Sequence, residues 1–353
     1  MQISLCMIVK DEQATLKRCL DSVASVVDEI VIVDTGSSDS SKEIARLFTD
    51  KVYDYVWNDD FSAARNFSFE HGTKEWLMWL DADDVISETS REKLAELKQN
   101  IPVDIDVVYM PYDISFDESG SPTFTYYRER IVRRSANPKW IEPVHEVIDV
   151  KGKTLYTDIA VMHKKIKQNP DGRNLRIMEK QLANGKSLSA RLHFYYAREL
   201  MFSGRTEEAA REFESVIADG GWSENMICAC IDLSYCLETL GKPARALSAA
   251  LDGLAYGVPR TKNLCRIAEL FQRSGKLEES AYWYNAALNC PHSINLGFNE
   301  TDYDGFIPAI SLCVIYDRLG DTDKAKHFND IAGKFKPDSP AYLYNKNYFE
   351  NKK

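Results

Sequence analysis

Three carboxylates follow directly on an apolar run in the stretch EWLMWLDADDVIS. The run 76–80 is typical of a strand that is covered on both faces, as in a parallel sheet flanked by helices. Open sheets of this kind bind their ligands beyond the carboxyl ends of the strands. Asp81, Asp83 and Asp84 repel one another at this spacing unless a cation or hydrogen-bond donors compensate their charge. The pattern therefore indicates a metal ion or a polyhydroxylated ligand.

A second group of ionisable side chains lies in KWIEPVHEVI, residues 139–148. A general base needs a pKa near neutrality, which partial burial can give to the carboxyl group of Glu146 or Glu142. Trp140 can provide an apolar floor for a sugar or peptide acceptor. If PVHEVIDV is a strand, His145 and Glu146 point to opposite faces, and only one of them needs to act.

Further polar side chains stand near the ends of other predicted strands. Asp34 ends EIVIVD, where its carboxylate can accept a hydrogen bond from a ligand beyond the strand. Glu12 either binds the same ligand or is an exposed carboxylate facing a helix dipole. Arg65, in SAARN, fits a helix lying close over a ligand, with a surface ion pair as the alternative. His163 is either a metal ligand or a structural histidine.

The elements that must position these residues alternate between strands and helices up to about residue 165, which is the βαβ pattern of a parallel sheet. We predict strands at 3–9, 29–34, 51–57 and 76–80, helices at 11–26 and 59–72, a turn leading into a helix at 35–48, and a mixed-sheet extension over 103–163. The segment 59–72 begins with an acidic N-cap and ends at a terminating glycine.

The C-terminal half is helical and repetitive. Four segments align on glycines spaced 37, 34 and 45 residues apart, at Gly204, Gly241, Gly275 and Gly320. Each glycine follows a bulky residue by four positions and precedes a small residue by five. These columns predict antiparallel helix pairs, as in tetratricopeptide arrays, with an insertion over 290–305 in the longer interval. An irregular helical bundle is the alternative.

Composition limits the classes of partner. The chain has 353 residues, 44% of them hydrophobic and 28% charged, with a formal net charge of -10. An acidic chain of this kind is not expected to bind nucleic acid, which requires a basic face on the protein. For the same reason it is not expected to bind a membrane surface through a polybasic segment. No secretory signal or apolar run of about 20 residues is apparent, so we expect a cytoplasmic protein without an integral membrane segment. The predicted domains are 1–168 and 189–353, joined by a helical connector at 169–188.

The segments MIVKDEQATLKRCLDSV, IVIVDTGSSDSS, FSAARN and WLDADD resemble family 2 glycosyltransferases in order and spacing. The elements VHE (144–146) and MHK (162–164), followed by tetratricopeptide repeats, are similar to the subgroup that contains the sublancin-type peptide glycosyltransferases. The resemblance implies an α/β GT-A domain, which uses nucleotide-diphospho-sugars, followed by an all-α tetratricopeptide-like solenoid.

The same resemblance assigns roles to individual residues. Asp83 would bind Mg²⁺ or Mn²⁺ directly, Asp81 would face the ribose or the metal, and His163 would complete the metal site. Asp34 would read uracil, although Thr35 replaces the second aspartate of many relatives. Glu12 and Arg65 would bind the nucleotide. Glu146 would be the catalytic base, and Glu142 and His145 are the alternatives to it.

The predicted function is an inverting, metal-dependent transfer of sugar from a UDP-sugar, or a related nucleotide sugar, to a peptide or protein side chain. Assembly of a cell-surface polysaccharide or lipooligosaccharide is the alternative, and a catalytically decayed repeat scaffold is an alternative of another class. The repeat domain is expected to form a homodimer. Its aromatic tail PAYLYNKNYFENKK either caps its own array or packs on a partner.

Overall fold

The computed structural model describes residues 1–166, 172–291 and 297–352. These residues form two compact units, of which the first extends to Lys186 and the second contains most of the chain after it. The predicted boundaries at 168 and 189 stay predictions. Residues 169–171 of the predicted connector and 292–296 of the predicted insertion lie outside the described part of the chain.

The first unit alternates strands and helices and then continues mainly in strands. Its elements are β1 (Ile3–Val9), α1 (Leu16–Val23), β2 (Glu29–Asp34), α2 (Ser41–Arg46), β3 (Val52–Asp54), α3 (Phe61–His71), β4 (Trp76–Trp79), β5 (Asp84–Ile86), α4 (Glu88–Asn100), β6 (Val107–Phe116), β7 (Pro122–Arg133), a 3-10 turn (Arg134–Ala136), β8 (Lys139–Ile141), β9 (Val147–Asp149), β10 (Thr154–Tyr156), β11 (Val161–His163) and α5 (Arg173–Ala183).

The central sheet is mixed, as the sequence predicts. Its strands lie in the order β3-β2-β1-β4-β7-β6-β11-β5, and β10 pairs with β6. The strands β1 to β4 are parallel, whereas β7 is antiparallel to both β4 and β6. The strands β8 and β9 form a separate antiparallel pair. The run 76–79 is fully buried, as expected for a strand covered on both faces.

Helix α3 begins and ends where the sequence predicts. The Asp60 side chain accepts a hydrogen bond from the Ala63 backbone N–H at 2.9 Å, which satisfies one of the free donors of the first turn. Gly72 follows the last helical residue with a φ of -72°, so it is not a left-handed cap. A Cβ at this position would lie 2.6 Å from Leu77 Cδ2. Close packing against β4, rather than backbone conformation, therefore requires glycine.

Two predicted elements are shorter in the structure. Helix α1 begins at Leu16 instead of residue 11, because Asp11 takes a left-handed φ of 54° and its carboxylate accepts hydrogen bonds from Ser38. The third strand ends at Asp54 instead of residue 57. Among the described residues β3 lies at the edge of the sheet and pairs with β2 alone, so the pairing stops where β2 ends at Asp34.

The second unit is almost wholly helical. Its elements are α6 (Ala190–Phe202), α7 (Thr206–Asp219), α8 (Ser223–Thr239), α9 (Pro243–Asp252), a 3-10 turn (Gly253–Tyr256), α10 (Thr261–Arg273), α11 (Leu277–Leu288), β12 (Asn299–Glu300), a 3-10 turn (Thr301–Asp304), α12 (Phe306–Arg318), α13 (Thr322–Phe335) and α14 (Pro340–Asn351).

The four aligned glycines separate the paired helices, which confirms the predicted repeats. Each glycine has a left-handed φ between 71° and 84°. The residue after the glycine donates its backbone N–H to the carbonyl of the bulky residue, as Arg205 does to Leu200 at 3.0 Å. This closes the helix with a Schellman motif. The small residue five positions later is fully buried in every pair, which lets the two helices approach closely.

The aromatic tail folds back on its own array. Phe349 is buried with Cys313 and Ala325, and a Cβ on Gly333 would lie 2.5 Å from the Tyr342 ring. Helix α14 therefore covers the last helix pair, although Tyr344 is 72% exposed. Within the described residues, no helix combines the length and the apolar character that crossing a membrane requires.

Candidate functional site

The ends of the parallel strands meet at one edge of the sheet, as the sequence predicts. Val9 at the end of β1 pairs with Asp34 at the end of β2, and β4 lies on the other side of β1. A cavity of about 430 Å³ opens at this edge. It is lined by seven residues that the sequence singled out, namely Glu12, Arg65, Asp81, Asp83, His145, Glu146 and His163. Asp34 and Glu142 lie outside this lining.

Arg65 joins two sides of the cavity. It lies in α3, is 6% exposed, and donates through two of its guanidinium nitrogens. Its Nε donates to Glu146 Oε1 and its Nη2 donates to Asp81 Oδ1, both at 2.7 Å. Burial would raise the pKa of Asp81, but the charges of Arg65 and Arg130 hold this pKa well below its usual range. Asp81 is therefore ionised at neutral pH.

Trp79, at the end of β4, is surrounded by arginines. The guanidinium carbons of Arg65, Arg128 and Arg130 lie 4.9, 4.8 and 3.8 Å from the centre of its ring. Trp140 faces Arg65 at 4.8 Å and contacts the Trp79 ring edge-on. Because Trp140 is only 2% exposed, the prediction that it forms the floor for an acceptor is wrong. It fixes Arg65 instead.

The segment that carries Glu146 is a constrained loop and not the strand that its alternation suggested. Strand β9 begins only at Val147, and both Glu142 and His145 have left-handed φ values, of 73° and 51°. This conformation costs about 1–2 kcal/mol per residue without glycine, and such positions concentrate at functional sites. The loop is held by a hydrogen bond from the Phe61 N–H to the Pro143 carbonyl, at 2.9 Å.

Asp84 is fully buried and organises the acidic cluster. Its carboxylate receives hydrogen bonds from Tyr112 at 2.8 Å, from Arg130 at 3.1 Å and from the Asp81 backbone N–H at 3.0 Å. His163 lies opposite Asp84 in the antiparallel pair β11–β5, with its Nδ1 3.3 Å from Asp84 Oδ1. Carboxylates often orient a metal-binding imidazole in this way. Asp84 therefore supports the site and leaves Asp83 to face the cavity.

Asp83 has the chemistry of a cation ligand. Burial and the charges of Asp81 and Asp84 raise its pKa to about 6, although the charge of His163 opposes the rise. Such a rise means that the protein's own cations do not fully compensate the negative charge here. Ligand atoms of Asp83, Asp84 and His163 lie within 4.8 Å of one another. The carboxylate of Asp83 suits Mg²⁺ or Mn²⁺, and with the imidazole of His163 beside it the residues present fit a divalent metal ion.

Asp34 and Glu12 lie near the ends of β2 and β1. Asp34 is buried, and its Oδ2 accepts the backbone N–H groups of Gly36 and Ser37 at 3.1 and 2.9 Å. Its Oδ1 is buried and has no hydrogen-bond partner among the described residues. A buried acceptor of this kind suits an N–H donor on a ligand. Glu12 lines the cavity while its Oε2 accepts a hydrogen bond from Thr15 Oγ1 at 2.5 Å.

Sequence reasoning missed Tyr112, Arg128 and Arg130. Tyr112 donates to Asp84, and Arg128 donates to the Glu146 backbone carbonyl at 3.0 Å. The signal was present in YRERIVRR, where Arg128 and Arg130 stand two positions apart in a strand that continues into the apolar residues Ile131 and Val132. Charges in a strand that the fold buries need partners, and here those partners are the carboxylates and the loop of the cavity.

The chain is similar in sequence to a known family and to known proteins. The model of the family described as Glycosyl transferase family 2 matches residues 4–151. A TPR repeat-containing protein of Synechococcus elongatus is 31% identical over 297 residues, which cover 82% of this chain and 66% of the relative. The SPbeta prophage-derived glycosyltransferase SunS of Bacillus subtilis is 29% identical over 221 residues, which cover 59% of this chain and 51% of the relative.

The chain thus spans about two thirds and about half of the lengths of these two relatives. The family match lies within the first unit and includes the ends of β1, β2 and β4, where the cavity opens. The repeated helix pairs make up the second unit. The N-terminal domain of this chain belongs to glycosyl transferase family 2, and a tetratricopeptide-type helical array follows it.

Proposed function

We propose that this chain is a cytoplasmic, metal-dependent glycosyltransferase that moves a sugar, with inversion, from a UDP-sugar to a cysteine, serine or threonine side chain of a peptide or protein. The observation that carries the proposal is that Asp81, Asp83 and Glu146 line one cavity at the carboxyl edge of the sheet. Donor ligands and a candidate base thus face the same space, as a direct displacement requires.

Asp83 and His163 are the residues that would hold the metal ion. When bound, Mg²⁺ or Mn²⁺ neutralises the negative charge that develops on a leaving diphosphate. Asp84 and Tyr112 contact His163 Nδ1 and restrict the rotation of the imidazole. Their role is to keep a ligand set ready, so that little ordering is needed when the donor binds.

Glu146 is the proposed base. Arg65 holds its Oε1 at 2.7 Å, and the side chain lines the cavity. An ionised carboxylate with one restrained oxygen can take the proton of an acceptor hydroxyl or thiol at the other. Glu142 is three positions from the cavity-lining residue His145 and does not itself line the cavity, which favours Glu146.

Asp34 supports the choice of a uracil nucleotide. Its unpartnered Oδ1 lies at the end of β2, beside the strand whose end lines the cavity. The imide N–H of uracil is a donor of the required kind, and recognition by a buried acceptor discriminates strongly against bases that lack such a donor. Asp34→Asn should therefore weaken UDP binding more than it weakens metal binding.

A panel of nucleotide sugars scored by nucleotide release tests the proposal. We expect turnover with a UDP-sugar and Mn²⁺, loss of turnover with a chelator, and loss of transfer in Glu146→Gln with donor binding retained. Glu142→Gln is the matched control and should transfer normally. A folded protein that releases no nucleotide from any donor would instead be a repeat scaffold without activity.

The acceptor is tested separately, with peptides that carry cysteine, serine or threonine compared against oligosaccharides. Transfer to a peptide side chain supports the proposal, whereas transfer only to the glycans would assign the chain to polysaccharide or lipooligosaccharide assembly. Mass spectrometry of the product identifies the modified residue.

Homodimer formation through the repeat domain is part of the proposal. Helix α14 caps its own array with Phe349 but presents Leu343, Tyr344 and Tyr348 to solvent. These side chains form an apolar surface on the terminal helix that a second copy can cover. Light scattering should give a dimer for the full chain and a monomer for Tyr344→Asp. A monomeric full chain would contradict this part.

A further inference from the structure

We infer that Arg65 is a positioning residue for the acceptor base, in addition to its contact with the donor carboxylate. It donates to Glu146 and to Asp81 at once, so that the proposed base and a donor ligand share one guanidinium. This inference rests on the proposed function, because it assigns a role within the same transfer reaction.

The geometry requires an arginine. Nε and Nη2 are two different nitrogens of the planar guanidinium, and each donates to a different carboxylate at 2.7 Å. Lysine has one nitrogen on a flexible stem, so it can neutralise one carboxylate well but cannot hold both in fixed directions. The charge of residue 65 and its two-sided geometry can therefore be separated by substitution.

The guanidinium is itself held in place. Its central carbon lies 4.9 and 4.8 Å from the centres of the Trp79 and Trp140 rings, which contact each other edge-on. Its helix is joined to β8, because Asn66 exchanges two hydrogen bonds with the Trp140 backbone, each at 2.9 Å. Two neighbouring tryptophan rings and an anchored helix leave Arg65 little freedom, so the position of Arg65 determines where Glu146 Oε1 lies.

A purely structural ion pair would have different consequences. A pair that only stabilises the fold changes the melting temperature and the amount of active protein, and it leaves the kinetics of the folded fraction unchanged. A positioning residue acts on kcat of the folded protein, while the donor KM changes little. Its effect should also disappear when the group that it positions is absent.

The test is a double-mutant cycle on the full chain with Arg65→Lys and Glu146→Gln. Each protein is checked for folding by circular dichroism and for UDP binding in the presence of Mn²⁺ by calorimetry. We expect Arg65→Lys to lower kcat about 30-fold, with the UDP dissociation constant and donor KM within about fivefold, and Glu146→Gln to lower kcat by at least 100-fold. The double variant should be no more than about threefold below Glu146→Gln, because the two residues act as a unit.

Arg133→Lys is the matched control. The guanidinium of Arg133 lies 4.4 Å from the centre of the Trp76 ring and pairs with the carboxylates of Glu75 and Asp106, so it resembles Arg65 in its contacts, but Arg133 does not line the cavity. The factor by which Arg133→Lys changes kcat should multiply with that of Glu146→Gln, because the two residues are not in contact. A non-multiplying effect at residue 65 alone supports direct positioning.

Two results would overturn the inference while leaving the proposed function intact. The first is an active Arg65→Lys variant with kcat within threefold of wild type. The second is a double variant whose loss equals the product of the two single losses. A wild-type protein that binds UDP and Mn²⁺ but turns over no nucleotide sugar would refute the proposed function, and this inference with it.

Discussion

Replacing Asp83 by asparagine should stabilise the metal-free protein and abolish its activity. The Asp83 pKa rises from an ordinary value of 3.8 to about 6 in the folded state, mainly through burial and the neighbouring Asp81 and Asp84 charges. Ionisation of this carboxyl therefore destabilises the fold by up to about 3 kcal/mol above pH 6, and by nothing below the unfolded-state pKa. Asparagine carries no charge and removes that cost. At pH 8 we therefore expect the free energy of unfolding of metal-free Asp83→Asn to exceed that of the wild type by about 1–3 kcal/mol.

A metal ion should reverse the order of stability. It binds the folded wild-type protein, and at a free concentration 100 times its dissociation constant it stabilises by about 2.7 kcal/mol. Asp83→Asn lacks the charged ligand, so it should gain little from the same Mn²⁺ concentration. The variant should therefore melt above the wild type in chelator and at or below it in saturating Mn²⁺.

Thermal denaturation at pH 8 and at pH 4, with and without Mn²⁺, measures these differences. The advantage of the variant in chelator should shrink as pH falls from 6 to 4, because wild-type Asp83 becomes protonated in the folded protein. Nucleotide release measures activity alongside. If the variant melts at or below the wild type in chelator at pH 8, ionisation of Asp83 does not destabilise the metal-free fold. If it keeps more than about a tenth of the activity, a loss under about 1.4 kcal/mol, Asp83 is not the principal ligand.

Three further predictions concern the surroundings of the site. Asp84→Asn should lower the free energy of unfolding by about 3–5 kcal/mol, because it leaves buried Arg130 without its counter-charge. An unchanged free energy of unfolding in urea denaturation would show that the ion pair is dispensable. Gly72→Ala should cost about 1–3 kcal/mol, since its Cβ would lie 2.6 Å from Leu77 Cδ2, and an unchanged urea midpoint would mean that β4 shifts freely. The apparent affinity for Mn²⁺ should fall at least tenfold per pH unit below pH 6 in calorimetric titrations, because Asp83 and His163, both with raised pKa values, must lose their protons to bind, and an affinity independent of pH would refute these roles.

Local patterns were enough to predict much of the first unit and the repeat array. The apolar run before Asp81 became a buried strand, and the acidic N-cap at Asp60 began α3. The four aligned glycines stand in the turns that separate the two helices of each pair. Each of these features depends on residues within a few positions of one another, where side-chain periodicity, capping and backbone conformation act directly. The shorter α1 and β3 were not predictable in the same way, because they depend on Ser38 and on the end of a neighbouring strand.

The sequence by itself determined which side chains stand at the strand ends, and the tertiary structure decided which of them meet. Arg65 contacts Asp81 and Glu146, which are 16 and 81 positions away, and His163 lies opposite Asp84 at a separation of 79. Such contacts are set by strand order and register, which no local pattern encodes. For the same reason Trp140 is a buried support for Arg65 instead of an acceptor surface, because β8 packs it against Trp79.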